Sequence, residues 1–321
     1  MMTITAPTTA VRVTAPAESG RTPAVVANQV TKSYGAVRAL DGIDLTISRG
    51  EFFGILGPNG AGKTTLMEII EGLRSADSGQ VAVLGRSPWP RDLQLLGSLG
   101  VQTQASSFFP SLTALEHITT VATLYGVSAQ KAAHTLDRFG LWDKKDVTVE
   151  KLSGGQQRRL AIAAAVTHDP EVIFLDEPTA ALDPQARREL WSLLDELRAE
   201  GRTILYTTHY LDEAERLCDR VAIVDAGRVI AAGKPHDLIR EHSSPYVQLV
   251  ISRDRLDPAS AAAVPGVVNA REEGASTIVE TDRPEDVLVT LGQRVGFDNI
   301  HTRATTLEDV YLRLTGKEYS A

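Results

Sequence analysis

The octapeptide Gly57-Pro58-Asn59-Gly60-Ala61-Gly62-Lys63-Thr64 stands between an apolar run, Phe52 to Leu56, and a stretch, Thr64 to Gly72, whose apolar residues recur at helical spacing. A buried strand, a glycine turn and a helix therefore follow one another, as in an α/β fold with a parallel sheet. Glycines let successive backbone N–H groups converge on phosphate oxygens, and the helix start adds its positive dipole end. At this spacing Lys63 reaches the β- and γ-phosphates of a nucleotide, and Thr64 offers a hydroxyl to Mg²⁺.

Two further apolar runs have the same character. Val172 to Leu175 leads into Asp176-Glu177, and Thr203 to Thr208 leads into His209. Ligands of open α/β sheets bind where the strands end, so these side chains share an edge with the phosphate loop. Asp176 suits Mg²⁺, held directly or through water, and Glu177 suits a general base that polarises an attacking water. Between the loop and the acidic pair lies Leu152-Ser153-Gly154-Gly155-Gln156, ahead of a helical stretch to Val166 with Ser153 as N-cap. That helix start is a second anion site, and one nucleotide does not need two sites in one chain.

These motifs together resemble the nucleotide-binding subunit of an ATP-binding-cassette (ABC) transporter over about residues 25–240. The resemblance implies a P-loop NTPase cassette with a RecA-like core, an antiparallel β subdomain and a helical subdomain, binding ATP and Mg²⁺. It implies that Tyr34 stacks on adenine and that Gly57 to Thr65, with Lys63, Thr64 and Thr65, cradles the phosphates. Gln104 then links the γ-phosphate and, with Thr64 and Asp176, the metal to the membrane partner. Ser153, Gly154, Gly155 and Gln156, which match the family signature without a substitution, complete the ATP site of a second subunit. Asp183, in Ala181-Leu182-Asp183, speaks across the dimer, and His209 touches the γ-phosphate. An alanine precedes Leu182 where the family usually has serine or glycine.

A chain of 321 residues has room for about two domains. Its net charge of -8 argues against wrapping nucleic acid, which wants a basic face. A single cysteine, Cys218, excludes an intrachain disulfide and reads as a packing residue of a reducing cytosol. No apolar run approaches the length of a membrane span. Residues 1–24, rich in Thr, Ala and Pro, read as a disordered lead-in; Arg12 and Arg21 alone make a poor transit peptide. Residues 25–242 form the cassette, with a helical subdomain over about 105–152. There Phe108 and Phe109 are equally well read as docking residues for a membrane subunit or as core.

From 243 to 321 the pattern changes to a small α+β appendix, with strands at 246–252 and 276–281 and a helix at 284–295. Its ending, Thr306 to Gly316, resembles the drug-resistance and antibiotic-export ATP-binding subunits that pair with type-2 permeases. The resemblance implies a homodimer on the cytoplasmic face of the membrane, touching it only through a separate multi-spanning permease. An importer subunit is the alternative within the family. A ribosome- or DNA-acting ABC protein is the alternative outside transport, disfavoured because no second cassette and no coiled-coil heptads are present.

Overall fold

A computed structural model describes residues 22–103, 108–180, 182–243 and 246–316. The expectations for residues 1–21, Gln104 and Ala181 fall outside the described residues. Two compact units divide the chain, one running through Leu238 and one comprising Ile239–Lys317.

In the first unit, β1 (Pro23–Tyr34), β2 (Val37–Ser48) and β4 (Ser78–Val83) form an antiparallel sheet in the order β2-β1-β4. A second sheet runs β5-β6-β7-β3-β8-β9, from β3 (Phe52–Leu56), β5 (Leu99–Gln102), β6 (Val172–Asp176), β7 (Thr203–Thr208), β8 (Arg220–Asp225) and β9 (Arg228–Gly233). All its pairings are parallel except β8 with β9. Every residue of β3, β6 and β7 is buried, which is why these segments lack an alternation of apolar and exposed polar residues and keep their polar side chains to the strand ends. The register sets Leu56 beside Thr208 and Asp176 beside Thr207, so the three strand ends lie level at one edge.

Helix α1 (Lys63–Ile70) packs Leu66, Met67 and Ile70 into one core with Val25 and Val30 of β1, Ile43 of β2, and Phe53 and Ile55 of β3. It is held between the two sheets. Two glycines at its start admit nothing larger: a Cβ on Gly57 would stand 2.2 Å from the Val224 carbonyl oxygen, and Gly62, at φ 106, would place one 2.5 Å from that of Ala39. After a single turn of helix, α2 (Leu93–Leu96), come α3 (Ala114–Leu124) and α4 (Ala129–Arg138), capped by Thr113 and Ser128. Then follow α5 (Gly154–Val166), α6 (Pro184–Ala199), α7 (Leu211–Leu217) and α8 (Pro235–His242). Cys218 closes α7 buried, and burial pushes its thiol well above the usual range.

The second unit is a four-stranded antiparallel sheet in the order β11-β12-β10-β13, built from β10 (Val247–Ser252), β11 (Val267–Glu273), β12 (Ser276–Thr281) and β13 (Ile300–Arg303). Leu249, Ile251 and Val279 of the sheet share a core with Ala261 of α9 (Pro258–Ala262) and Val287 and Leu291 of α10 (Pro284–Val295). A final helix, α11 (Leu307–Thr315), buries Leu307, Val310 and Tyr311.

Candidate nucleotide site

Lys63 opens α1 with its side chain only 5% exposed. Its ammonium donates to the loop carbonyls of Gly57 at 2.8 Å and Pro58 at 3.2 Å, and lies 3.5 Å from Glu177 Oε1. Burial lowers its pKa, opposed by the charges of Glu177 and Asp176. Across the loop, Thr64 Oγ1 donates to Asp176 Oδ2 at 3.2 Å, and Thr207 Oγ1 donates to Asp176 Oδ1. Burial raises the Asp176 pKa; the Thr207 hydrogen bond works against it. A buried carboxylate and a hydroxyl facing each other are hard oxygen donors of the kind a Mg²⁺ ion takes, and a cation there would relieve the desolvated charge. The donor set therefore fits the metal.

Glu177 follows β6 with φ 46, a left-handed conformation that is uncommon for a residue with a side chain. Its N–H is held by the Thr207 hydroxyl at 2.9 Å and the Thr207 carbonyl at 3.2 Å. The bend turns its carboxylate away from the strand axis, between Lys63 on one side and His209 Nδ1, 3.3 Å from Oε2, on the other. Such local strain, fixed by neighbouring bonds, is characteristic of functional positions.

Tyr34, at the end of β1, is 42% exposed, with the Arg74 guanidinium 5.3 Å and the Lys32 ammonium 5.9 Å from its ring centroid. It is surface rather than core, as a residue that stacks on a base has to be.

Ser153 caps α5 in a reciprocal box with Gln156: the Ser153 side chain accepts from Gln156 N–H, and Gln156 Oε1 accepts from Ser153 N–H. Gly154 and Gly155 open the helix beside Leu182, Asp183 and Gln185, forming a cleft of about 380 Å³ to which the phosphate loop contributes no residue. Asp183 caps α6, accepting from Gln185 N–H and Ala186 N–H at 2.9 Å each, and these bonds hold its carboxyl below the usual range. Lys63, Thr64, Asp176, Glu177 and His209 are thus gathered into one site, while Ser153 to Gln156 and Asp183 share a separate, open one.

Phe108 and Phe109 both set their rings against His117, at 5.5 and 5.8 Å, in a groove of about 260 Å³ with Gln102, Thr103, Tyr125 and His168. Phe109 is 51% exposed, so it is not core.

Several polar residues of the site carry no motif. Thr207 lies within an apolar strand and is placed by pairing with Asp176; Gln102 Nε2 lies 3.5 Å from the Asp176 carbonyl; Arg158, partly buried in α5, feels the charges of Asp176 and Glu177. In the sequence only the run of polar side chains at the ends of β5 and β7 hints at the first two.

A sequence profile described as "ABC transporter" matches residues 40–180. The Nod factor export ATP-binding protein I of Rhizobium sp. (strain N33) is 38% identical over 293 residues, covering 90% of this chain and 96% of that protein. Its counterpart in Sinorhizobium fredii (strain NBRC 101917 / NGR234) is 40% identical over 302 residues, covering 92% and 87%. Among solved structures, a dimeric ATP-binding cassette in a post-hydrolysis state bound to ADP and Pi superposes with a TM-score of 0.60 at 30% identity, covering 65% of this chain and 98% of that one. The chain belongs to the ATP-binding subunits of ABC transporters. It is an ATPase with the cassette fold, and these Rhizobium and Sinorhizobium relatives are subunits of exporters.

Proposed function

We propose that two copies of this chain sandwich two ATP molecules and, by closing and reopening, drive a separate multi-spanning permease that exports its cargo. What carries this reading is the division of the motifs. One phosphate-binding helix start holds Lys63 and the acidic pair, and a second, open one holds Ser153 and Gly155 with no cation of the loop beside it. A second subunit supplies the missing half of each site.

In the assembled site Lys63 leaves the loop carbonyls for the β- and γ-phosphates, and the loop N–H groups from Gly57, Asn59, Gly60, Ala61 and Gly62 to Thr65 surround the chain of oxygens. Tyr34 stacks on the adenine. Thr64 and Asp176, with Gln104, would hold Mg²⁺, which would neutralise charge on the phosphates. Glu177 takes the proton of a water aligned on the γ-phosphate, and His209, already beside Glu177, donates to the departing phosphate oxygens. Loss of the γ-phosphate removes the anion that Ser153 and Gly155 of the opposite subunit grip, and the pair opens.

Export is favoured over import because the alignment with the Rhizobium exporter subunit covers 90% of this chain and so extends into the Ile239–Lys317 unit, whereas the solved cassette described above covers 65% of it. Drugs, antibiotics and lipids are all cargo classes consistent with the resemblance, and the permease rather than this chain selects among them. No helix among the described residues is long and apolar enough to cross a membrane, so docking on a permease, through the groove of Phe108 and Phe109, is the route to the membrane's cytoplasmic face. Glu177→Gln protein purified with ATP from detergent-solubilised membranes of its host is expected to bring down a multi-spanning membrane protein in equal amount. Recovery of ribosomal proteins or DNA without such a partner would overturn the transport reading.

A further inference from the structure

Glu213, on α7, is completely buried, and neither the phosphate site nor the open cleft uses it. Its Oε2 accepts three hydroxyl donors from three different places: Thr179 Oγ1 at 2.7 Å, Thr208 Oγ1 at 3.0 Å, and the Tyr206 hydroxyl. Its Oε1 faces Arg187 Nε at 3.4 Å without a formed hydrogen bond. A buried carboxylate costs several kcal/mol of desolvation, and an apolar side chain of similar volume would fill the space more cheaply. Packing alone does not ask for an acid here.

Two of these donors, Thr179 and Thr208, and the facing Arg187 stand at the moving parts of the site, while Tyr206 anchors the carboxylate to β7. Thr179 lies in the loop between Glu177 and Asp183, closed by Leu182 N–H donating to the Thr179 carbonyl at 3.2 Å. Thr208 immediately precedes His209, and its hydroxyl also accepts from Tyr210 N–H at 2.9 Å, so it fixes the backbone on both sides of the histidine. Arg187 stands one turn into α6, its N–H bonded to the carbonyl of the Asp183 cap at 3.0 Å. The Arg187 guanidinium covers the Tyr210 ring at 4.3 Å, and that ring lies 4.2 Å from the His209 ring. One carboxylate thus ties the Asp183 loop and its helix to the strand end that presents His209.

We propose that Glu213 is a positioning residue that makes the Asp183 loop and His209 move as one piece, so that engagement of Asp183 by the second subunit is felt at the Glu177–His209 pair. The inference rests on the two-subunit reading above. In a buried network every donor loses its partner when the shared acceptor goes, and the loop and the strand end then shift independently. Among the described residues, no hydrogen bond or ion pair of this network reaches Gly57 to Thr64, so nucleotide binding to Lys63 is expected to be little changed.

The test uses the full chain with Glu213→Leu, which keeps the volume, and Glu213→Gln, which keeps an acceptor oxygen while the three hydroxyls reorient around it. ATP affinity, turnover per bound ATP and the Hill coefficient of turnover against ATP are measured for each. For Glu213→Leu, turnover per bound ATP is expected to fall by about tenfold to a hundredfold, the cost of misplacing a reacting group by roughly 1 Å, with ATP affinity within about twofold of the parent and the Hill coefficient moving toward 1. Glu213→Gln should recover most of both quantities; if the leucine protein does not fold, Thr179→Val, which removes one donor from the carboxylate, takes its place, with a smaller fall in turnover per bound ATP expected at unchanged ATP affinity, and parental turnover in that protein overturning the inference. Parental turnover per bound ATP in Glu213→Leu, or a loss that only tracks lost ATP binding, overturns the inference. Glu177→Gln run alongside separates the two failures, because absence of an ATP-dependent dimer in that protein rejects the two-subunit reading itself.

Discussion

Helices α1 and α5 both begin on glycine-rich turns with free N–H groups, yet they are built for opposite circumstances. The start of α1 is enclosed: its helix is held between two sheets, Lys63 is buried, and Asp176, Glu177 and Thr64 are all within reach. The start of α5 is open: Ser153 and Gln156 satisfy each other, and Gly154 has no neighbour within 4 Å of the Cβ it lacks. An enclosed anion site with its own cation and acids is complete enough to hold a nucleotide. An open site whose lining cation, Arg159, already faces Glu189 is complete only when the anion arrives bound to something else, and this is the physical content of the proposed sandwich.

Substitutions at the two starts should therefore fail differently. Lys63→Ala removes the cation from the enclosed site and is expected to lose ATP binding and turnover together, as isothermal titration and phosphate release would record. Gly154→Ala adds a methyl into open space within the subunit, so thermal stability should not fall and ATP affinity should stay within about twofold, while kcat drops by about tenfold or more because the opposing nucleotide meets the methyl. If kcat of the Gly154 protein also matches the parent's, the open site does no binding. Tyr34→Ala should weaken ATP by about 1 kcal/mol, roughly fivefold in Kd, through loss of stacking, and leave the turnover of bound ATP unchanged.

A last effect, on stability rather than on activity, concerns the far end of the enclosed helix. Glu71 caps α1, and burial, reinforced by the charges of Asp176 and Glu68, pushes its pKa up from 4.5 to about 8. Because the folded value is the higher one, the folded protein binds more protons than the unfolded chain between those values, and this group's contribution to stability falls as pH rises from 4.5 to about 8. Glu71→Gln should flatten that decline, giving a Tm advantage over the parent that grows across the window and levels off above it. An equal Tm difference at pH 5 and pH 8 would contradict the assignment.

Much of the enclosed site is legible in the sequence because buried parallel strands carry their chemistry at their ends: Phe52–Leu56, Val172–Asp176 and Thr203–Thr208 each stop where a functional side chain begins. What the sequence does not mark is pairing. Thr207 looks like a strand residue until the register sets it beside Asp176, and Glu213 looks like one more charge on an amphipathic helix until Thr179, Tyr206 and Thr208 converge on it. In the second unit, β10, β12 and α10 follow apolar spacing, but β11, Val-Val-Asn-Ala-Arg-Glu-Glu, buries none of its residues fully and lies at the sheet edge, so periodicity gives no sign of it. The left-handed bend at Glu177 is likewise invisible in sequence, since nothing about a glutamate announces a positive φ.

The most direct test of the sandwich is sedimentation of Glu177→Gln protein with and without ATP, beside the same protein carrying Gly154→Glu. The added carboxylate suits a helix start and should not harm the fold, but it places negative charge where the opposing γ-phosphate would lie. The account predicts an ATP-dependent dimer of the 34.6 kDa chain for the single variant and a monomer that still binds ATP for the double variant. Dimers of equal strength in both, or a dimer indifferent to ATP, would contradict it.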